Sequence, residues 1–378
     1  MATQWDRFDR AIIEAERRIA LLDRSQPKNA QEELRQTVAH WSRGQPRVPI
    51  WSYAALPDGE SLREALGAIA CELEGPGTLA GLYRARVREL MLEAELAAAV
   101  GGSSFLSLAQ SRYRLPASDA APANQLAKLW SADRFSPSSP LIDCDDGLDP
   151  RSLLSRFRAA CHQFKLPLRV EIRRGLPSIA AIGDGVVMIR EGHQLTNRHR
   201  DRLILHEIAA HILPRIAAES APLGILRVGT AGASQGEEGR AVFIEERASW
   251  LDADRRWELA VRHQAATSVL KGADFVAVVR DLIESGATVT EGVGIATRCF
   301  RGGGLAREVI YLRGFLEVRD AFALAPELER WFEAGRVSIE GARQLNTFEN
   351  GSPLPPDAPG VSWQQVLDWC RGGSCSGD

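Results

Sequence analysis

His206 and His211 stand five residues apart, with Glu207 directly after the first, in the run HEIAAH. Two imidazoles and a nearby carboxylate are nitrogen and oxygen donors that suit a divalent zinc, and they leave a fourth position for water that an adjacent glutamate can deprotonate. The familiar spacing for that chemistry is four residues, which sets both rings on one helical face. On an ideal α-helix a five-residue step turns the rings roughly 140° apart, too far to share an ion easily. One π-type turn, at about 4.4 residues per turn, brings them back to within roughly 50°. The spacing therefore predicts a π-distortion around residues 208–210, where Ala209 and Ala210 tolerate the crowding.

The flanks support a buried helix beside a cleft. Leu203, Ile204 and Leu205 make an apolar approach, Thr196 or Asn197 is the expected N-cap, and Pro214 predicts an end or kink just after His211. Further on, Glu237 and Glu238 precede Gly239, Arg240 and Ala241. Either glutamate could complete a His/His/carboxylate set.

Two more stretches accompany these motifs. Pro27-x-Asn29 is followed by PRVPIWSY at 46–53, and Arg298-Cys299-Phe300-Arg301-Gly302-Gly303 runs on to Val309-Ile310-Tyr311-Leu312. With these motifs the chain resembles, over most of its length, the QEGLA-motif metallopeptidases, whose animal members are the microtubule-associated tyrosine carboxypeptidases. The resemblance implies a zinc carboxypeptidase fold, Glu238 as the third ligand beside His206 and His211, Glu207 as the general base, and a substrate with an aromatic C-terminal residue. The chain departs from the family at Ala209-Ala210, where Gly-Thr is common, and at Arg240, where Leu is common. These departures leave the ligands intact and predict a shifted peptide preference.

A carboxypeptidase must hold a terminal carboxylate, which a guanidinium does bidentately, and must stabilise an oxyanion, which a phenol can do. Arg298, Arg301 and Arg307 are candidates for the first task and Tyr311 for the second. Competing with these roles are ordinary surface pairing for the arginines and core packing for the tyrosine. Glu245 and Glu246 are expected to support the ligands or form salt bridges. His199 and His193 lie close to the HEIAAH run in sequence; His199 stands two turns before His206, about 10 Å along the helix, and reads as a surface or cleft-rim residue rather than a ligand. His40, His162 and His263 default to structural roles.

Composition removes several classes of function. With 45% hydrophobic and 25% charged residues the 378-residue chain is an ordinary folded protein. A net charge of −3 with interspersed signs argues against nucleic acid as a partner. Neither a run of roughly 20 apolar residues nor a signal-peptide core is visible in the sequence, so no membrane partner is expected and the default location is cytoplasmic. The six cysteines are scattered and are expected to be reduced thiols, with Cys370 and Cys375 in a frayed Gly/Ser-rich tail.

The expected architecture is α+β and helix-dominated: a zincin-like HExxxH helix with a small antiparallel sheet lining the cleft. Trp5, Phe8, Ile12, Ala15, Ile19 and Leu22 predict one amphipathic helix ending before Pro27, and another helix is expected over about 82–100. Residues 115–124 and 136–150 read as connections between an N-terminal helical region (1–135) and a catalytic domain (136–378). Strands are expected at 168–173, 179–182 and 186–189, the last two joined by a hairpin turn at Gly183-Asp184-Gly185, with an edge able to hold extended peptide by backbone pairing. After Glu238 the chain returns mainly to helix.

The leading expectation is a zinc metallocarboxypeptidase, one Zn²⁺ per chain, hydrolysing peptide bonds at or near the C-terminus of a peptide or protein, with Glu207 activating zinc-bound water. Two alternatives stand beside it: a catalytically silent peptidase-like regulatory or binding protein, and a zinc hydrolase that trims a ribosomally made natural-product peptide. The same donors also accept Mn²⁺ or Co²⁺.

Overall fold

Apolar side chains at helical spacing organise the N-terminal third, where Phe8, Ile12, Ala15 and Ile19 are buried on one face of the helix Asp6–Ile19. The computed structural model describes residues 5–54, 59–73, 77–132, 134, 139–176, 178–183, 185–348 and 360–372. The single helix expected through Leu22 is broken at Ala20, whose left-handed backbone (φ 39°) starts the short turn Leu21–Arg24. The break has a packing reason. Ile19 and Leu21 are both buried, and on an unbroken helix residues two apart point to opposite sides.

A second correction concerns 115–124, which is not a connection but the start of the helix Ala117–Trp130, with Pro122 inside it. Its alanines favour helix strongly enough to carry the missing proline N–H. The stretch 136–150 holds a strand, β1 (Leu141–Asp143); residues 136–138 of that stretch fall outside the described ones. The helix expected over 82–100 is present as Thr78–Ala98.

Four further strands follow: β2 (Arg169–Arg173), β3 (Ala180–Gly183), β4 (Val186–Arg190) and β5 (Gln194–Thr196). The expected hairpin is present, since β3 and β4 pair antiparallel with Gly183 opposite Val186; Asp184 of the turn lies outside the described residues. The expectation of an all-antiparallel sheet is corrected. β2 pairs parallel to β4, giving the order β2-β4-β3, while β1 and β5 form a separate antiparallel pair. A two-residue turn dictates only the β3–β4 register, so local sequence carries no signal for the side of β4 that β2 takes.

Helices dominate from there on. Among the described residues, none is long and apolar enough to cross a membrane. The described cysteines are all free thiols, and Cys370 corrects the frayed-tail expectation because it is buried on the helix Trp363–Gly372. Cys375 lies outside the described residues.

Two apolar clusters hold these elements together. One joins the N-terminal helices, from Phe8 to Ala127, to residues between Ala218 and Leu345. The other collects Val187 and Ile189 of β4, Ile208 to Leu213, and the C-terminal Val366, Leu367 and Cys370. The helix Ala233–Arg247 gives Val242 to the first cluster and Ala241, Ile244 and Ala248, at its C-cap, to the second. It is the seam between them, and it carries Glu238.

Candidate metal centre

The helix Asn197–Leu205 is capped by Thr196, whose hydroxyl accepts from the His199 N–H at 3.2 Å. It continues without interruption into a π-helix, His206–Ile212, and then into the helix Leu213–Glu219. The π-distortion expected from the histidine spacing is therefore present, and it brings the ring centroids of His206 and His211 to 5.2 Å. Pro214 neither ends nor sharply interrupts the helix, contrary to expectation; it sits where the wide register returns to the ordinary one. Leu213 N–H donates to the Ile208 carbonyl, five residues back. In that register the Ala209 carbonyl would face residue 214, a proline with no N–H to offer. Arg240 supplies the missing donor, its Nη1 lying 2.9 Å from the Ala209 oxygen.

The helix Ala233–Arg247 crosses this segment and brings in the third carboxylate. Glu238 Oε2 lies 3.6 Å from His206 Nε2 and 3.8 Å from His211 Nε2. One donor atom from each of the three residues lies within 4.8 Å of the others. A tetrahedral zinc with bonds near 2.0–2.1 Å needs donors about 3.3–3.5 Å apart. The triangle matches that requirement to within small side-chain rotations, and its donor set suits the ion. Glu237 points elsewhere, to Arg336 at 3.4 Å.

The surroundings fix each donor. His206 Nδ1 lies 2.7 Å from Glu245 Oε1. A carboxylate only accepts, so Nδ1 carries the proton and Nε2 is left facing the triad. Glu245 is fully buried and held in turn by Arg255 at 3.0 and 3.1 Å and by Arg202 at 3.3 Å. Glu246, expected to help, is exposed and takes no part. On the other side, Arg307 donates to Glu238 Oε1 at 3.1 Å and to Ser234 Oγ at 2.7 Å, which turns Oε2 toward the imidazoles.

The electrostatics follow from burial and these neighbours. Burial lowers the His206 pKa, but the Glu238 and Glu245 carboxylates outweigh it and raise the value to about 9. Burial takes His211 down to about 4. Burial likewise pushes the Glu207 carboxyl up to about 7, with His206 opposing and Glu238 adding to the rise. A position at His206 Nε2 that binds a proton this tightly also favours a cation, and a carboxyl near neutrality is matched to proton transfer.

The other residues singled out by the sequence fall nearby but not together. The ring of Tyr311 is buried between Arg262, 4.5 Å from its centroid, and Arg307 at 6.0 Å. Arg298 donates to Glu308 at 3.1 Å, and Arg262 holds the same buried glutamate at 2.7 Å. Arg301 is buried, and its Nε has no hydrogen-bond partner among the described residues. Arg298, Arg301, Arg262, His193 and His199 line a cavity of about 940 Å³. The triad itself does not line it; contacts run from the cavity wall to Glu238 through Arg262, Tyr311 and Arg307, and to His206 through Arg255 and Glu245. Sequence reasoning missed Arg202, Arg255 and Arg240. For Arg255 a signal was available, since Arg255, Glu258 and Arg262 place charges at helical spacing on a helix that also buries Trp257, Val261 and Val269.

A helix-dominated α+β fold brings together three residues able to hold a metal ion, and the family match defines the class as carboxypeptidase-type peptidases. Within that class the match is to the family described as microtubule-associated tyrosine carboxypeptidase, over residues 39–357, and the chain belongs to it. No curated protein matches the chain.

Proposed function

We propose that the chain is a zinc-dependent metallocarboxypeptidase that removes one or a few residues from the C-terminus of a peptide or protein. The observation that carries this is the convergence of His206, His211 and Glu238 on one point, with Glu207 in the same π-turn. Zinc held there supplies Lewis acidity, polarising the scissile carbonyl and lowering the pKa of water. Glu207 accepts a proton from the attacking water on its carboxylate and delivers it to the departing amine nitrogen. Glu245 keeps His206 in the tautomer that presents Nε2, and Arg307 keeps Glu238 Oε2 turned inward. Tyr311 is held neutral by burial, so its O–H is available to stabilise an oxyanion.

Replacing the base while keeping the ligands tests this reading. Glu207→Gln should retain the metal and lose at least about a hundredfold in the release of C-terminal residues, read by mass spectrometry of a peptide library. A variant as active as the wild type would overturn the mechanism. A wild-type protein that binds peptides without cleaving them would instead favour a silent binding protein.

A further inference from the structure

Pro214 leaves the end of the π-turn undecided. Leu213 N–H donates to the Ile208 carbonyl, five residues back, so residue 214 is the next in line. In the wide register its N–H would go to Ala209, and in an α-helix to Ala210. Proline has none to give, and both alanines are buried, so each register leaves one buried carbonyl open and neither gains over the other on that count. The α register would also return Leu213 N–H to Ala209, four residues back, and it is the commoner geometry by far. Something outside the segment must therefore favour the wide turn.

Arg240 meets that need. It lies on the helix Ala233–Arg247 two residues after Glu238 and is 2% exposed. A guanidinium taken so far from water needs partners. Its Nε is buried without one, and Glu333 and Glu329, on the helix Glu329–Ala334, support it through charge. Its hydrogen bond goes to the π-turn, from Nη1 to the Ala209 carbonyl at 2.9 Å. That is the carbonyl left open by the wide register and occupied in the α register. The alternative, Ala210, stands roughly 100° further round the axis, so the contact favours one register over the other. The register in turn decides whether the imidazoles converge. In the π-turn the ring centroids of His206 and His211 lie 5.2 Å apart beside Glu238; in an α-helix the rings would turn roughly 140° apart.

We propose that Arg240 is a positioning residue for the metal centre: by holding Ala209 it selects the π register that aims His206 and His211 at the point where its own helix presents Glu238. The proposal rests on the metal-site reading and names what sets the geometry of that site in advance of the ion. One helix thus supplies both the third ligand and the contact that shapes the other two.

Zinc affinity, read by competition with a fluorescent chelator, and amide exchange over residues 206–213, read on metal-free protein by mass spectrometry, test it together. Arg240→Met should weaken zinc binding roughly ten- to hundredfold, the worth of a charged donor on a buried carbonyl, and should speed exchange over 206–213 more than elsewhere. Arg240→Lys, which keeps a charged donor, should recover part of both. The decisive variant adds Pro214→Ala to Arg240→Met. Its new N–H closes either register, so Tm should return toward that of the wild type, while zinc binding stays weak because the α register is then free to form. Recovery of both would mean that Arg240 only satisfies a carbonyl and would overturn the proposal, as would zinc binding indifferent to Arg240→Met. A wild type that binds no zinc, with exchange over 206–213 still governed by Arg240, would uphold the register lock and remove the metal reading.

Discussion

At the scale of single residues, the proposed metal site depends on side chains outside the His206, His211 and Glu238 set. Glu245 shows this most directly, because it alone sets the tautomer of His206. Glu245→Gln keeps the shape but offers an amide that can also donate. It should weaken metal retention about 10–100-fold in a chelator competition; unchanged retention would mean that His206 is oriented by packing alone. Arg240 is the second case. It was read in the sequence as a departure bearing on peptide preference, yet it is 2% exposed and its guanidinium closes the carbonyl that Pro214 leaves open. Arg240→Met should cost about 1–3 kcal/mol in denaturant unfolding, since a buried carbonyl then has no donor.

At the scale of elements, the third-ligand helix is placed by close backbone contact. A Cβ on Gly239 would collide with the backbone of Gly314 on the helix Val309–Leu324, and one on Gly236 with the Val337 carbonyl. Gly239→Ala should therefore force the two helices apart, lowering stability by about 1–3 kcal/mol or more and loosening metal retention with it. Normal stability with normal metal content would show that the crossing relaxes freely. What was legible in the sequence follows from geometry of short range. The five-residue histidine step dictated the π-turn, Thr196 its cap, and Gly183 to Gly185 the β3–β4 hairpin. What was not legible depends on partners far along the chain. Arg202 meets Glu245 across 43 residues, β2 chooses its side of β4 by tertiary packing, and Pro122 suggested a connection where packing made a helix. Among the three candidate arginines, only the three-dimensional pairing of Arg298 and Arg307 distinguishes Arg301.

At the scale of the whole molecule, partly buried polar contacts tie the N-terminal helices to later helices of the chain. Arg336 joins Glu16 at 3.0 Å to Glu237 at 3.4 Å, and His263 Nε2 donates to Asn124 Oδ1 at 3.0 Å. Burial, aided by Arg313, depresses the His263 pKa from 6.5 to about 4. The folded state thus keeps this histidine neutral while the unfolded chain protonates it. Its contribution is intact above pH 6.5 and is lost as the pH falls through about 4, by up to about 3 kcal/mol. His263→Gln should flatten that part of the stability–pH curve; an unaltered slope would assign acid sensitivity elsewhere. The central claim is that the seam between the two cores is a zinc site. Elemental mass spectrometry of protein purified without chelator tests it most directly, with His206→Ala alongside. About one zinc per chain, lost in the variant, is the predicted result; a protein that retains no metal after dialysis against zinc would contradict it.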